Sequence, residues 1–102
     1  MDIIVAGCFM TVVVQIGNSD NKLTQGEWAH YVEAIRNVIH NNVSAIHFQG
    51  GSDWDAPWQN ACWVCDIYPS FKDEFIASLL QAKNSYRQDS IALTWGHTDS
   101  LS

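Results

Sequence analysis

The stretch Leu23–Gln49, "LTQGEWAHYVEAIRNVIHNNVSAIHFQ", decides the fold, because its hydrophobic period changes partway along. In the first part Trp28, Tyr31, Val32, Ile35, Val38 and Ile39 recur at helical spacing. Thr24 and Glu27 stand at the spacing of a capping box, hydroxyl to backbone N–H and carboxylate back to the cap. A helix is predicted over about Gln25–His40, stopped by Asn41 and Asn42, since Asn tolerates the left-handed conformation. "VSAIHFQ" then alternates, which is the signature of a strand.

Upstream, Ile3 to Ile16 is rich in Val and Ile and reads as strand. About 14 residues at roughly 3.3 Å each is long for one strand, so Gly7 marks a bend, a bulge or a break. "GNSDN" has turn chemistry. Downstream, "GGSDWDAP" is a loop and "NACWVCDIY" a strand. "PSFKDEFIASLLQAKNSYRQD" repeats the helix-start logic, with Ser70 and Asp73 at N-cap and N3 spacing ahead of Phe75, Ile76, Leu79 and Leu80. "SIALTWG" closes as a strand, and residues 98–102 read as a polar tail.

The order β-α-β-β-α-β predicts one α+β domain over residues 1–102. Its expected form is a ferredoxin-like sandwich with two helices on one face of a four-stranded antiparallel sheet. Splitting the first segment into a hairpin would instead give five strands. This architecture hosts many activities, so function has to be argued from the surface.

Of 102 residues, 47% are apolar and 16% charged, enough for a packed core. The formal charge is −6, from five Lys plus Arg against eleven Asp plus Glu. Lys22, Arg36, Lys72, Lys83 and Arg87 are scattered, which speaks against direct nucleic-acid binding. An acidic surface suits solubility or a basic protein partner. "IIVAGCFMTVVVQI" is shorter than the roughly 20 apolar residues of a membrane span, and Thr11 and Gln15 interrupt it. "VAGC" looks like a lipoprotein cleavage box, but a secretory signal needs a basic n-region, and the charge ahead of Cys8 is Asp2. Three cysteines make no disulfide framework, so a cytoplasmic protein is expected.

Strand parity then sorts the two sheet faces. Ile4, Ala6, Cys8, Met10, Val12, Val14 and Ile16 should face the helices, with Ala61, Trp63, Cys65 and Ile67 from the third strand. Ile46 and Phe48 are expected to join that row from the second strand, and Ile91, Leu93 and Trp95 from the fourth. The opposite face should read polar if it is wet. Instead Val5, Phe9, Val13, Val64 and Tyr68 form an apolar patch of the kind that marks an interface or a ligand groove. A loop, a second copy or another protein would cover it; a homodimer is expected.

The chemical motifs are weaker. Cys62 and Cys65 form a CxxC inside a strand, where residues three apart point to opposite faces, so packing explains them better than zinc or thiol exchange. His30 and His40 belong to the first helix, and His47 and His97 to the two outer strands, about three strand spacings of 4.8 Å apart. No metal site and no cofactor is expected. Asp53 and Asp55 lack calcium-loop spacing, and no phosphate loop is present.

Trp54 and Trp58 flank Pro57 in a loop with Asp53 and Asp55, and tryptophans in wet loops tend to sit at interfaces. The leading expectation is therefore a small acidic protein-interaction module, of inhibitor or immunity type. It would block a basic site on a partner through Asp53, Trp54, Asp55 and Trp58. The alternative is a dimeric small-ligand binder or small enzyme with a pocket on the outer sheet face, lined by His47, Asp66 and Tyr68.

Overall fold

Among the described residues, four strands and two α-helices follow one another: β1 (Met10–Gly17), α1 (Gln25–Asn42), β2 (Ala45–Gly51), β3 (Asn60–Ile67), α2 (Lys72–Ser85) and β4 (Ala92–Gly96). They are seen in a computed structural model, which describes residues 9–18, 22–53, 56, 59–99 and 101. The strands form one antiparallel sheet in the order β2-β3-β1-β4. The chain is thus an α+β fold with β1 and β3 as the central pair.

The capping box at the start of α1 is complete: Glu27 N–H donates to Thr24 Oγ1 at 3.2 Å, and Thr24 N–H to Glu27 Oε1 at 3.0 Å. The helix runs two residues past its expected end. It stops at Val43, which turns to extended backbone while its N–H still reaches Ile39 O. No left-handed Asn is used, because Ser44 immediately begins the pairing with β3 by donating its N–H to Asp66 O at 2.9 Å. Between these two caps, α1 buries Tyr31, Ile35 and Ile39, one residue per turn.

At α2 the expected Ser70 cap is corrected. Pro69 starts a 3₁₀ turn over Pro69–Phe71, closed by Phe71 N–H to Tyr68 O at 2.9 Å. Helical geometry has therefore begun before Ser70 can take the extended conformation of a cap. Phe71 is the N-cap residue and makes no side-chain cap bond, while Asp73 and Glu74 lie in the first turn, where the helix dipole favours them. The helix ends with Arg87 in the left-handed region (φ 58°) and Gln88 N–H on Lys83 O. The Arg87 guanidinium meets Glu27 at 2.9 Å and so links the end of α2 to the start of α1.

One core joins both helices to one face of the sheet. Val12, Val14 and Ile16 of β1 and Ala61, Trp63, Cys65 and Ile67 of β3 are buried against Tyr31, Ile35, Ile39, Phe75 and Leu79. Each large apolar side chain fully removed from water stabilises the fold by about 1.5–3 kcal/mol. Burial also pushes the Tyr31 phenol up to about 12 and, with help from Asp66 and Cys62, the Cys65 thiol up to about 11.

The second strand corrects a further expectation. Ile46 pairs with Cys65, but it is Phe48, not His47, that stands opposite Val64. This β-bulge inserts His47 as an extra residue and reverses the parity of everything after it. Phe48 leaves the core row and lies on the outer face, 55% exposed.

Candidate functional site

The outer face can be read row by row from the register. Phe9 and Tyr68 stack at one end, ring centroids 4.6 Å apart. The next row holds Ala45, Asp66, Thr11 and Gly96. After it come Phe48, Val64, Val13 and Thr94, then Gly50, Cys62, Gln15 and Ala92. Aromatic and branched side chains thus alternate with short ones. Phe9 and Tyr68, 39% and 36% exposed, stand with Phe48 among the large apolar side chains left in water.

Between the two apolar rows lies a polar cluster. His47 Nε2 is 2.8 Å from Asp66 Oδ2. The other carboxylate oxygen, Oδ1, accepts from Thr11 Oγ1 at 3.1 Å, and Thr11 Oγ1 also shares a hydrogen bond with Thr98 Oγ1. Asp66 is the more enclosed partner and His47 the more open one, at 22% and 53% side-chain exposure. An ionised carboxylate only accepts, so Nε2 must carry the hydrogen between them. His47 is the bulged residue beside this contact, with Ile46 opposite Cys65 and Phe48 opposite Val64.

Sequence parity pointed to His47, Asp66 and Tyr68 as one possible pocket, and in the structure His47 and Asp66 bond directly, with Tyr68 one row away. Thr11 and Thr98 join the cluster beyond what parity predicts, and Phe48, expected in the core row, stands on this face instead. Thr11 carried a signal, since parity places it beside Asp66. Thr98 had none, lying in what reads as a tail. Phe9, Val13, Val64 and Tyr68 share the outer face, whereas Val5 lies outside the described residues.

Of the loop residues, Asp53 is exposed and its carbonyl accepts from Ala56 N–H at 3.0 Å, while Trp54, Asp55 and Trp58 lie outside the described residues. The base of this loop is firmly built. Ser52 N–H donates to Asn60 O, and Asn60 N–H to Ser52 Oγ, both at 3.0 Å. Gln59 exchanges amide hydrogen bonds with Gln25 and receives one from Asn18 Nδ2. Asn18 in turn clasps Leu23 through both its N–H and its carbonyl.

Cys62 faces outward and is half-buried, whereas Cys65 is buried in the core; both are free thiols. His97 follows β4, at the sheet edge opposite β2, and pairs with Asp99 at 3.1 Å. Among the described residues no three His, Cys, Asp or Glu side chains converge as a metal site would require, and no helix is long and apolar enough to cross a membrane.

The basic residues are engaged inside the chain. Lys22 meets Asp89, Arg36 meets Glu33, Arg87 meets Glu27, Lys83 donates to Gln88 O, and Lys72 lies over the Trp95 ring. No protein-family model matches the chain, and neither does the sequence of any curated protein.

Proposed function

We propose that the protein is a homodimeric binding module of ferredoxin-like architecture, whose two outer sheet faces meet and hold a small ligand between them. The observation that carries this reading is the His47–Asp66 pair set among Phe9, Tyr68, Phe48, Val13 and Val64 on one face.

Charge favours a second copy over a foreign partner. The chain carries −6 overall, yet along the paired strands the charged groups of this face are Asp66 and the histidine it already meets. Two such faces bring together only one carboxylate each, and a basic protein finds little there to grip. Size is compatible. Strands of eight, seven, eight and five residues, at roughly 3.3 Å per residue and about 4.8 Å apart, give a face of roughly 450 Å². Two faces together come to roughly 900 Å², the size of a weak, concentration-dependent interface.

Relief leaves room for a ligand. Facing sheets lie about 10 Å apart, and the Phe9, Tyr68 and Phe48 rings flank the row of Ala45, Asp66, Thr11 and Gly96, whose side chains are shorter. Sedimentation velocity over a wide concentration range tests the reading. The wild type should dimerise, and Phe48→Glu should weaken the dimer by at least about 30-fold, the loss of one aromatic anchor worth about 2 kcal/mol. A Phe48→Glu protein that dimerises like wild type counts against it.

A second reading keeps the acidic loop as a recognition element for a basic protein, in the manner of an inhibitor. The braced loop base supports it: Ser52–Asn60 and the Asn18–Gln59–Gln25 amides hold both ends on rigid elements. Reversing Asp53 and Asp55 together should then weaken capture of a basic partner.

A further inference from the structure

Resting on the proposed two-sheet chamber, we infer that His47 is a proton acceptor for a neutral planar ligand bearing an acidic ring hydroxyl, of the phenol or enol class. The atoms assign the role. Asp66 takes the Nε2–H, so the lone pair of the neutral imidazole sits on Nδ1, and that ring is the more exposed of the two partners. Asp66 is itself held at its second oxygen by Thr11, which Thr98 backs in turn. It is a positioning residue: it fixes the tautomer and stabilises the imidazolium once formed.

The surroundings select the ligand. Val64 of β3 and Tyr68, in extended backbone just past its end, lie four residues apart, roughly 13 Å at about 3.3 Å per residue, with Asp66 between them. A six-membered ring fits that span, with an aromatic stack at one wall and branched side chains at the other. An anionic ligand would meet the Asp66 carboxylate unfavourably, and no Lys or Arg lies on the paired strands of this face to offset it. A ligand that arrives neutral brings the proton that turns His47 into an imidazolium, and that cation offsets the anion it leaves. The hydroxyl O–H bond breaks, its electron pair stays on oxygen, and the proton forms a bond to Nδ1; the reverse step returns it. No oxidant, reductant or co-reactant takes part. The bulge falls on His47 itself, in an edge strand, and bulges are features that re-aim a side chain next to a site.

The probe is 4-nitrophenol, whose absorbance reports its ionisation, titrated with pH in the presence of the dimer. Its midpoint should fall by about one pH unit or more, the size expected when a charged form gains a fixed partner. In His47→Gln the shift should vanish while sedimentation still shows a dimer. In Asp66→Asn the probe should still bind, and the shift should shrink. A wild-type dimer that leaves the midpoint unmoved, or a His47→Gln dimer that moves it as far as wild type, overturns the inference. If the protein sediments as a monomer, a shift that requires His47 supports the inference and removes only the chamber. A monomer with no shift removes both.

Discussion

Replacing Asn18 by alanine should be among the costliest single changes outside the hydrophobic core. Asn18 is 2% exposed and ties together the end of β1, the entry to α1 and the residue before β3. Its Nδ2 donates to Leu23 O at 3.0 Å and to Gln59 Oε1 at 3.1 Å, and its Oδ1 accepts from Leu23 N–H at 3.0 Å. The Gln59 acceptor tolerates the loss, since its Oε1 keeps its bond from Gln25. Leu23 N–H does not, because Leu23 is buried and the donor is left without a partner. An unpaired buried donor costs about 1–3 kcal/mol, and the lost amide bonds add about 1 kcal/mol more. The sum is about 3 kcal/mol, or roughly 12–24 °C in Tm for a domain of this size. Urea unfolding followed by tryptophan fluorescence reads this as a lower midpoint at unchanged slope. Asn18→Asp separates the contributions: it keeps the acceptor for Leu23 N–H but turns a carboxylate oxygen toward two acceptors, so it should be at least as damaging at neutral pH and milder in acid. A loss below about 1 kcal/mol for Asn18→Ala would refute the reasoning.

Three further outcomes are expected. Gly51→Ala would press its Cβ onto the Asn60 carbonyl oxygen, backbone that cannot swing away, so the hairpin end should open and hydrogen exchange at Ser52 and Asn60 should speed up. Deleting His47 repairs the ladder, because Ile46 and Phe48 then follow each other against Cys65 and Val64. Stability should change by no more than about 1 kcal/mol by chemical denaturation, while the 4-nitrophenol shift is lost. In alkali the unfolded chain gives up the Cys65 and Tyr31 protons first, from 9.0 and 10.0, while the folded chain holds them to about 11 and 12. Fewer protons on the unfolded state means stability falls as pH rises. The urea midpoint should be flat on this account below pH 9, decline from there to about pH 12, and decline less in Tyr31→Phe.

The elements and the central strand pair were legible because they rest on local rules. Thr24 and Glu27 sit at a fixed spacing, and Val12, Val14, Ile16, Trp63 and Cys65 alternate as a half-buried sheet must. What failed was set by longer range. Nothing in "AIHFQ" announces the bulge, since strict alternation gives an equally sensible pattern; the ladder with β3 decides it, and Phe48 changes face as a result. Ser70 lost its cap role to the preceding proline, a competition between two local signals. On the outer face, parity brought His47 and Asp66 to one side but not into contact. Thr98 reaches Thr11 only because β4 lies beside β1.

The most direct test is side-chain footprinting with a small carbene label, at dilute and at concentrated protein. Phe9, Phe48 and Tyr68 should lose label as concentration rises, while Leu80, equally in contact with water on the helix side, keeps it. Labelling of Phe48 that never changes with concentration, or shielding that falls on Leu80 instead, would contradict the claim that this sheet meets its own copy.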